Sequence, residues 1–359
     1  MCSGPDIKVL CKRQNKYLEE LNNWFKSRNL SLSAPKSSAT LFTTASQEVK
    51  TVLPITIDNT PVPTVQDPKI LGARLDPLLT FKNQVKDMKD KVKSRNNILK
   101  ALAGSDWGKD KETLTATYKA IGQSVTNYCA PIWTPTVSHT NWESLQVGQN
   151  EALRTITGSY KASSLDHLHA ECKIMPVKEH SELLSKQFLL ATQKPDHPNQ
   201  CDLDHVPERI MKETLVTRFK EDVSRHVLTN GNNEAQHKIG IRAIHTDAVR
   251  DVLLKAQPSK VLHTQPPEIH KDEKLLPRGT RCKLSQLRSG YSNLLNTYKH
   301  RLDPNHTADC PQCETHPHTT EHLFSCRANP TDLTPLSLWA QPRAAATFLG
   351  LETDRVGVG

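Results

Sequence analysis

Long apolar runs are missing from this sequence of 359 residues. No stretch approaches the ~18 consecutive apolar residues that a helix needs to cross a bilayer. The N-terminal segment MCSGPDIKVLCKRQNKY also lacks the apolar stretch of a signal peptide. These absences predict a chain that is neither membrane-spanning nor secreted and that has no membrane partner. We expect it inside the cell, in the nucleus, the cytoplasm or both.

Hydrophobic and aromatic residues are scarce, at 36% and 5% of the chain, against the ~45–50% apolar residues of an average globular protein. Proline outnumbers glycine, with 23 Pro and 14 Gly, which indicates many breaks and long connections and excludes collagen. The length allows two or three domains. The composition predicts hydrophobic cores that do not use the whole chain.

Acidic residues are outnumbered by basic ones, with 38 Asp and Glu against 47 Lys and Arg, for a net charge of +9. This excess suits a polyanionic partner such as RNA or DNA, and it equally suits a merely soluble protein.

Strand signals are short and confined to the N-terminal fifth of the chain. An amphipathic helix is predicted over 14–30, and strands over 38–44 and 69–75. Between these strands, 52–58 and 61–65 predict a β-hairpin that turns at Asn59 and Thr60.

Helical periodicity dominates the remainder, so the predicted fold class is α+β and mostly α. Pro131 should stop the second of these helices and Gly158 should end the third. The predicted helices cover 81–103, 111–130, 141–157, 179–193 and 280–299. The signal is weak over 211–275, residues 194–210 have the composition of a linker, and no pattern is evident after 343.

The helix over 81–103 combines an apolar face with a strongly basic one. Its apolar residues are Phe81, Val85, Met88, Val92 and Leu99. Its basic residues, which face only Asp87 and Asp90, are Lys82, Lys86, Lys89, Lys91, Lys93, Arg95 and Lys100. Such a face is more often solvated helix surface than a binding groove. The excess of positive charge nevertheless favours contact with a phosphate backbone, which reads no base sequence.

Three of the nine cysteines lie close together in CPQCETHPHTTEHLFSC. Cys310 and Cys313 have C-x2-C spacing, and His322 and Cys326 follow at i and i+4 of a predicted helical turn. Three thiolates and one imidazole form a closed, structural zinc site with no position for a catalytic water. His316 and His318 are competing ligands that we rank below His322. The alternative is a loop with free cysteines.

Several motifs occur in an order that resembles the C-terminal half of jockey-like non-LTR retrotransposon reverse transcriptases. The motifs are NWFKSRNLSLSAPKSSATLFT, ILGARLDPLLTF, VKSRNNILKALAGSDWGKDKETLTATYKAIGQSVTNYCAPIW, LQVGQNEALRTITG, LPRGTRCKLSQLRSGYSNLLNTY and CPQC…EHLFSC. Each motif is weak alone, and the shared order over most of residues 14–340 carries the resemblance.

The resemblance implies a role for several positions. Lys36 would lie near the incoming nucleotide, and Leu71 and Gly72 would form a hairpin that grips the primer end. Residues 81–160 would form a helical thumb along the template–primer duplex, and residues 280–326 would bind template RNA or target DNA.

The adjacent aspartates of such polymerases are missing, since the sequence contains no Asp-Asp pair. Nucleotidyl transfer with two Mg²⁺ ions requires such carboxylates. We therefore expect no catalytic residues and no polymerase activity in this chain alone, a Mg²⁺ requirement only in a complete polymerase, and a chain that begins after the catalytic turn. The alternatives are a non-enzymatic, zinc-dependent nucleic-acid-binding protein derived from such an element, or a non-functional remnant.

The expected organisation has five parts. They are a palm remnant over 1–76, a thumb-like domain over 77–160, a connecting region over 161–275, a helix with the zinc knuckle over 276–340, and a tail over 341–359. Within the connecting region, His167 and His169 have i,i+2 spacing, so we interpret them as surface or partly buried histidines and not as a metal pair.

Overall fold

Helices form most of this computed structural model, which describes residues 2–104, 106–194, 197–200, 203, 213–226 and 234–351. Strands in this described part form only two antiparallel hairpins, with two residues in each strand. The α+β, mostly α, class is therefore confirmed, with less β structure than the sequence predicts.

The N-terminal helix α1 (Ile7–Lys26) begins seven residues before its predicted start. It begins there because the Asp6 carboxylate accepts hydrogen bonds from the amides of Lys8 and Val9. Its inner side packs on a small core around Ile55. This core consists of Cys11, Ala34, Leu53, Ile55, Ile57 and Val62.

The first hairpin pairs β1 (Thr56–Ile57) with β2 (Thr60–Pro61). Its turn lies at Asp58 and Asn59, one residue earlier than predicted, and both have positive φ, at 52° and 60°. Two successive positive φ angles are what a tight two-residue hairpin turn requires, and Asp and Asn tolerate them well.

The second hairpin pairs β3 (Lys69–Ile70) with β4 (Ala73–Arg74). The single strand predicted over 69–75 is thus wrong, because Leu71 and Gly72 turn the chain back with φ of 47° and 87°. The strand predicted over 38–44 is also wrong. That segment makes only one bridge, from Ala39 to Thr64.

Among the predicted helices, those over 81–103 and 141–157 match the structure most closely. Helix α2 (Lys82–Leu102) begins where the Asp76 carboxylate accepts hydrogen bonds from the amides of Thr80 and Phe81, at 3.0 and 2.6 Å. It packs along α6 (His139–Thr157), which ends as predicted at Gly158 with φ of +70°.

The helix predicted over 111–130 is interrupted. Helix α3 (Lys111–Tyr118) continues through a π-helical turn (Lys119–Gln123) into α4 (Ser124–Asn127), where it ends. Pro131 does not stop it but lies in the first turn of α5 (Ala130–Trp133), where a missing amide costs little. Helix α7 (Leu165–Cys172) was not predicted.

Three further helices form a separate cluster of the core. They are α8 (Val177–Ala191), α9 (Leu215–Ser224) and α10 (Glu234–Lys255). Buried Leu189, Phe219 and Ile244 connect them. Most of the predicted linker, 194–210, lies outside the described residues.

The helix predicted over 280–299 is two helices, α11 (Arg278–Arg288) and α12 (Asn296–Leu302). Gly290, with φ of +70°, separates them because it takes a conformation that disrupts a helix. The short helices α13 (Thr320–Leu323), α14 (Ser337–Ala340) and α15 (Pro342–Phe348) complete the fold. Residues 342–351, which showed no pattern, pack on α11 through buried side chains such as Ala345.

None of the helices in the described ranges is both long enough and apolar enough for a bilayer.

Candidate metal centre and nucleic-acid interface

The four predicted metal ligands converge at one point. One ligand atom from each of Cys310, Cys313, His322 and Cys326 lies within 4.8 Å of the others. The Sγ atoms of Cys310 and Cys326 are 3.9 Å apart, and Cys313 Sγ lies 3.3 Å from His322 Nε2. Three thiols and one imidazole at this spacing could hold a metal ion such as zinc.

Local turns bring these side chains together. The amide of Cys310 donates to the His316 carbonyl at 2.8 Å, and its own carbonyl accepts from the Glu314 amide at 2.9 Å, which closes the C-x2-C loop. Helix α13 is capped by Thr319, whose hydroxyl accepts from the His322 amide. Since α13 ends at Leu323, the shared helical turn predicted for His322 and Cys326 is not present. Cys326 reaches the site from the turn that follows.

The two competing histidines have other positions. The ring of His316 stacks on the His322 ring with a centroid distance of 5.3 Å. His318 is buried, its Nδ1 accepts from the Asn296 amide at 3.1 Å, and its carbonyl accepts from the Thr297 hydroxyl at 2.9 Å. His318 therefore fastens the cluster to α12, in agreement with the ranking of His322 as the ligand.

Hydrogen bonds also prepare one thiol for metal binding. Bonds from Thr315, together with His322 and His316, lower the pKa of Cys313 to about 5. Cys313 is therefore a thiolate at neutral pH, and the thiolate is the form that binds metal.

Residues 310–326 hold all four ligands, and we call this segment the metal cluster. The metal cluster packs against the rest of the C-terminal region and does not project as a separate module. The Thr320 hydroxyl donates to the Leu287 carbonyl of α11 at 3.0 Å. Phe324 is buried in the same core as Trp339, and its ring lies 5.8 Å from that of Phe348. A metal ion bound by this cluster would therefore stabilise a core that reaches well beyond the four ligands.

The candidate nucleic-acid-binding residues on α2 are all exposed. Lys82, Lys86, Lys89 and Lys93 occupy positions i, i+4, i+7 and i+11, so they form one stripe along the helix. We call these four residues the lysine stripe. None of them has an ion-pair partner among the described residues, whereas Lys100, next along the same side, pairs with Glu151 at 2.5 Å.

Arg95 does not belong to the lysine stripe. At 13 residues from Lys82 it lies more than a quarter turn away around the helix. It shares its side of α2 with Lys91, and both are exposed. The seven basic residues of the predicted basic face thus divide into two groups.

The hairpin with Leu71 and Gly72 lies next to the start of α2. The Arg74 amide donates to Gln84 Oε1 at 2.9 Å, and the Arg74 guanidinium pairs with Asp87 at 3.4 Å. At the tip, Leu71 is 88% exposed, and its carbonyl accepts a hydrogen bond from the Tyr128 hydroxyl. The hairpin is therefore held at its base by α2 and at its tip by Tyr128, while the Leu71 side chain faces solvent.

Lys36 is exposed in a short 3₁₀ turn (Ala34–Lys36), and its amide donates to the Ser33 carbonyl at 3.2 Å. This contact is made by the backbone amide and not by the side chain. A lysine side chain surrounded by solvent is therefore sufficient to explain this position.

A buried ionic network was not predicted. Lys111 contacts both Glu171 and Glu273, at 3.1 and 2.9 Å, and Arg288 pairs with the same two carboxylates. Arg281 extends the network to Glu112 of α3 at 2.7 Å, so three cations face three carboxylates. The side chains of Glu171, Glu273 and Arg288 are at most 2% exposed.

The network controls the charge of its members. Burial alone would raise the pKa of Glu171, but Arg288 and Lys111 beside it hold that pKa at about 2. Burial lowers the pKa of half-buried His167 to about 4, and the two cations add to this effect. His167 Nε2 lies 3.3 Å from the Ser285 hydroxyl, and His169 Nδ1 lies 2.8 Å from the Ile174 carbonyl. Both histidines therefore have structural contacts.

Helix α11 is central to this network and is buried over nearly its whole surface. Arg278 donates to the carbonyls of Gly104, Thr155 and Ile156, and so binds the C-terminal end of α6. This helix offers no surface to RNA or DNA, although the resemblance places nucleic-acid binding at 280–326. Within that range the exposed basic and polar side chains lie after α11, chiefly on α12, on the segment 303–309 and in the metal cluster.

Local sequence gives little sign of this burial, because RGTRCKLSQLR is the composition of an exposed helix.

No protein-family model, curated protein or solved structure matches this chain.

Proposed function

We propose that this chain binds nucleic acid without catalysing a reaction and that a structural zinc ion stabilises its C-terminal region. The lysine stripe carries the proposal. Four ammonium groups follow one side of α2 over about 16 Å, at 1.5 Å per residue, with no ion-pair partner among the described residues. By contrast, exposed Lys26 pairs with Asp58, and exposed Lys173 pairs with Glu268.

A row of free cations attracts a row of phosphates. Binding releases the counterions that surround the nucleic acid, and this release supplies affinity without base recognition. The stripe is straight and lies on a helix that packs along α6 through another of its sides. It therefore suits the regular backbone of a duplex better than an irregular loop.

We further propose that the chain corresponds to the C-terminal part of a jockey-like reverse transcriptase. The order of its sequence motifs supports this idea, and the hairpin with Leu71 and Gly72 lies next to the start of α2, the helix that carries the lysine stripe. In such an enzyme the hairpin and the helices after it would hold a template–primer duplex. Without adjacent aspartates this chain should bind the duplex and extend no primer.

The first experiment compares two double variants with the same charge change on the same helix. Lys86→Gln/Lys89→Gln removes half of the lysine stripe, and Lys91→Gln/Arg95→Gln removes two exposed cations from another side of α2. Affinity for a DNA duplex is measured by fluorescence anisotropy from 50 to 300 mM salt. Losing two phosphate contacts should lower the slope of log affinity against log salt by about 2, and affinity near 0.15 M roughly 30-fold.

The control variant should retain most of the wild-type salt slope. Equal losses in the two variants would mean that only net charge matters and that the stripe is not the binding surface. Binding that ignores salt in the wild-type chain would contradict nucleic-acid binding altogether and favour a non-functional remnant.

The polymerase relationship has a separate test. A labelled template–primer and dNTPs with Mg²⁺ should give binding and no primer extension by this chain. The duplex should also protect the tip of the hairpin at Leu71 from hydrogen exchange or footprinting reagents. Equal reactivity of the tip with and without duplex would contradict a primer-gripping role. It would not contradict duplex binding by the lysine stripe.

A further inference from the structure

Two cations converge on one tyrosine ring in the C-terminal region, remote in sequence from the lysine stripe. The Nζ atom of Lys260 lies 3.8 Å from the centroid of the Tyr291 ring, and the Cζ atom of Arg301 lies 5.2 Å from it. Lys260 and Arg301 are exposed, while Tyr291 is half-buried. Neither cation has an ion-pair partner in the described ranges.

Rigid neighbours hold this group in place. Val261 is buried in the C-terminal core directly after Lys260. The Lys260 stem crosses Gly290, where an added Cβ would lie 3.1 Å from it. The Tyr291 ring meets the buried Tyr298 ring edge-on, with 5.9 Å between centroids. The two charges are thus brought together by the fold.

The two carboxylates that follow Arg301 most closely in sequence do not neutralise the pair. Asp303 Oδ1 accepts a hydrogen bond from the Asn305 amide, and Asp309 Oδ2 accepts one from the Thr307 hydroxyl. Neither Asp303 nor Asp309 forms an ion pair among the described residues. Two like charges this close to one ring centroid repel each other, and a bound anion would offset the repulsion.

We propose that Lys260 and Arg301, positioned by Tyr291, form a binding site for a phosphate group. Arg301 supplies a planar fork that matches two phosphate oxygens, and Lys260 supplies a point charge. The ring already carries two cations and contacts Tyr298, so it is poorly placed to stack on a base. The site therefore selects the phosphate itself. Its source is either a phosphodiester of RNA or DNA or the phosphate of a small molecule.

The phenol of Tyr291 reports occupancy directly. Burial alone would raise its pKa, but Lys260 and Arg301 lower it below the ordinary value. An anion bound between the cations offsets their effect, so it should shift the pKa of Tyr291 upward. ¹³C-labelled tyrosine in the metal-loaded full chain follows this ionisation by NMR, and Tyr291→Phe identifies the signal.

The test adds inorganic phosphate, pyrophosphate or a 20-nucleotide single strand in separate titrations. A rise in the Tyr291 pKa with phosphate or pyrophosphate and with the strand supports a site open to either source. A rise with the strand alone supports a phosphodiester site, and a rise with the small anions alone supports a small-molecule site. No rise with any of them overturns the proposal.

Charge variants separate this site from general attraction. Lys260→Gln/Arg301→Gln should abolish the response to phosphate, while Lys271→Gln/Lys274→Gln, which removes two exposed cations of the same region, should keep it. Equal responses from the two variants would also overturn the proposal.

The titration with the single-stranded nucleic acid rests on the proposed function. In that titration Lys260→Gln/Arg301→Gln should lower the salt slope by about 1.4 and the affinity near 0.15 M salt roughly 14-fold. Failure of the lysine stripe would leave the phosphate response of Tyr291 intact, so the two ideas fail separately.

Discussion

Replacing Glu171 by Gln should destabilise the fold far more than its single atomic change suggests. Its carboxylate is 2% exposed and accepts hydrogen bonds from Lys111 Nζ at 3.1 Å and from Arg288 Nη1 at 2.7 Å. The Arg288 side chain is fully buried. Gln keeps the size of the side chain but removes the negative charge, so the network is left with one uncompensated buried cation.

Two independent routes give the same magnitude. Breaking a buried ion pair by removing one partner costs about 3–5 kcal/mol, because the other charge stays desolvated. The pKa of Glu171, lowered from 4.5 to about 2, corresponds to roughly 3 kcal/mol of stabilisation of the ionised form at neutral pH. We therefore expect Glu171→Gln to lower the free energy of unfolding by about 3 kcal/mol at pH 7.

Urea unfolding of the metal-loaded chain measures this loss. With an m value of about 3 kcal/mol/M, the midpoint should fall by about 1 M. Glu268→Gln is the matched control, because Glu268 pairs with Lys173 at 2.7 Å but is 85% exposed. Exposed pairs contribute less than about 1 kcal/mol. If the two variants shift the midpoint equally, the buried network does not hold these helices together.

Three further outcomes test other parts of the fold. Gly158→Ala should cost about 1–2 kcal/mol in backbone strain, and more because its Cβ would lie 2.5 Å from a thiol of α11. Gly350 also has a positive φ but has open space around it, so Gly350→Ala is the control. Equal shifts of the urea midpoint in the two variants would mean that the close approach to the α11 thiol adds no cost. Because burial lowers the pKa of His167 to about 4, the unfolded chain takes up a proton first as the pH falls. Stability should therefore fall from about pH 6.5 towards 4, and His167→Gln should flatten that slope; an unchanged slope would assign it to other groups. Chelation or Cys310→Ser should lower the unfolding midpoint and shift the fluorescence of buried Trp339 to the red, and an unaltered spectrum would mean that the core forms without metal.

The features that sequence predicts well are those that one segment determines. Helix α2 is recognisable because apolar residues recur on one face over its whole length. The end of α6 follows from a single glycine, Gly158. The metal cluster lies within 17 residues, from Cys310 to Cys326, so spacing alone brings its ligands together.

The features that sequence misses are assembled from distant segments. Lys111, Glu171, Glu273 and Arg288 come from four parts of the chain, and nothing in any one part indicates a buried partner. Arg288 in particular lies at the end of a helix rich in polar residues, yet its side chain is buried. The spacing of the basic residues along α2 is enough to divide them into two groups. The same spacing does not predict that Lys100 pairs with Glu151 of α6.

Helix α11 connects regions that composition and motif order assign to separate domains. At its start, Arg278 binds the carbonyls at the end of α6, and near its end the Leu287 carbonyl accepts a hydrogen bond from Thr320 of the metal cluster. Arg288 links it to Glu171 of α7. A metal ion bound only to the folded cluster stabilises whatever unfolds with that cluster. Since α11 is linked by hydrogen bonds to α6 and by an ion pair to α7, that stabilisation should extend beyond the C-terminal region. It should reach α2, which carries the lysine stripe and packs along α6.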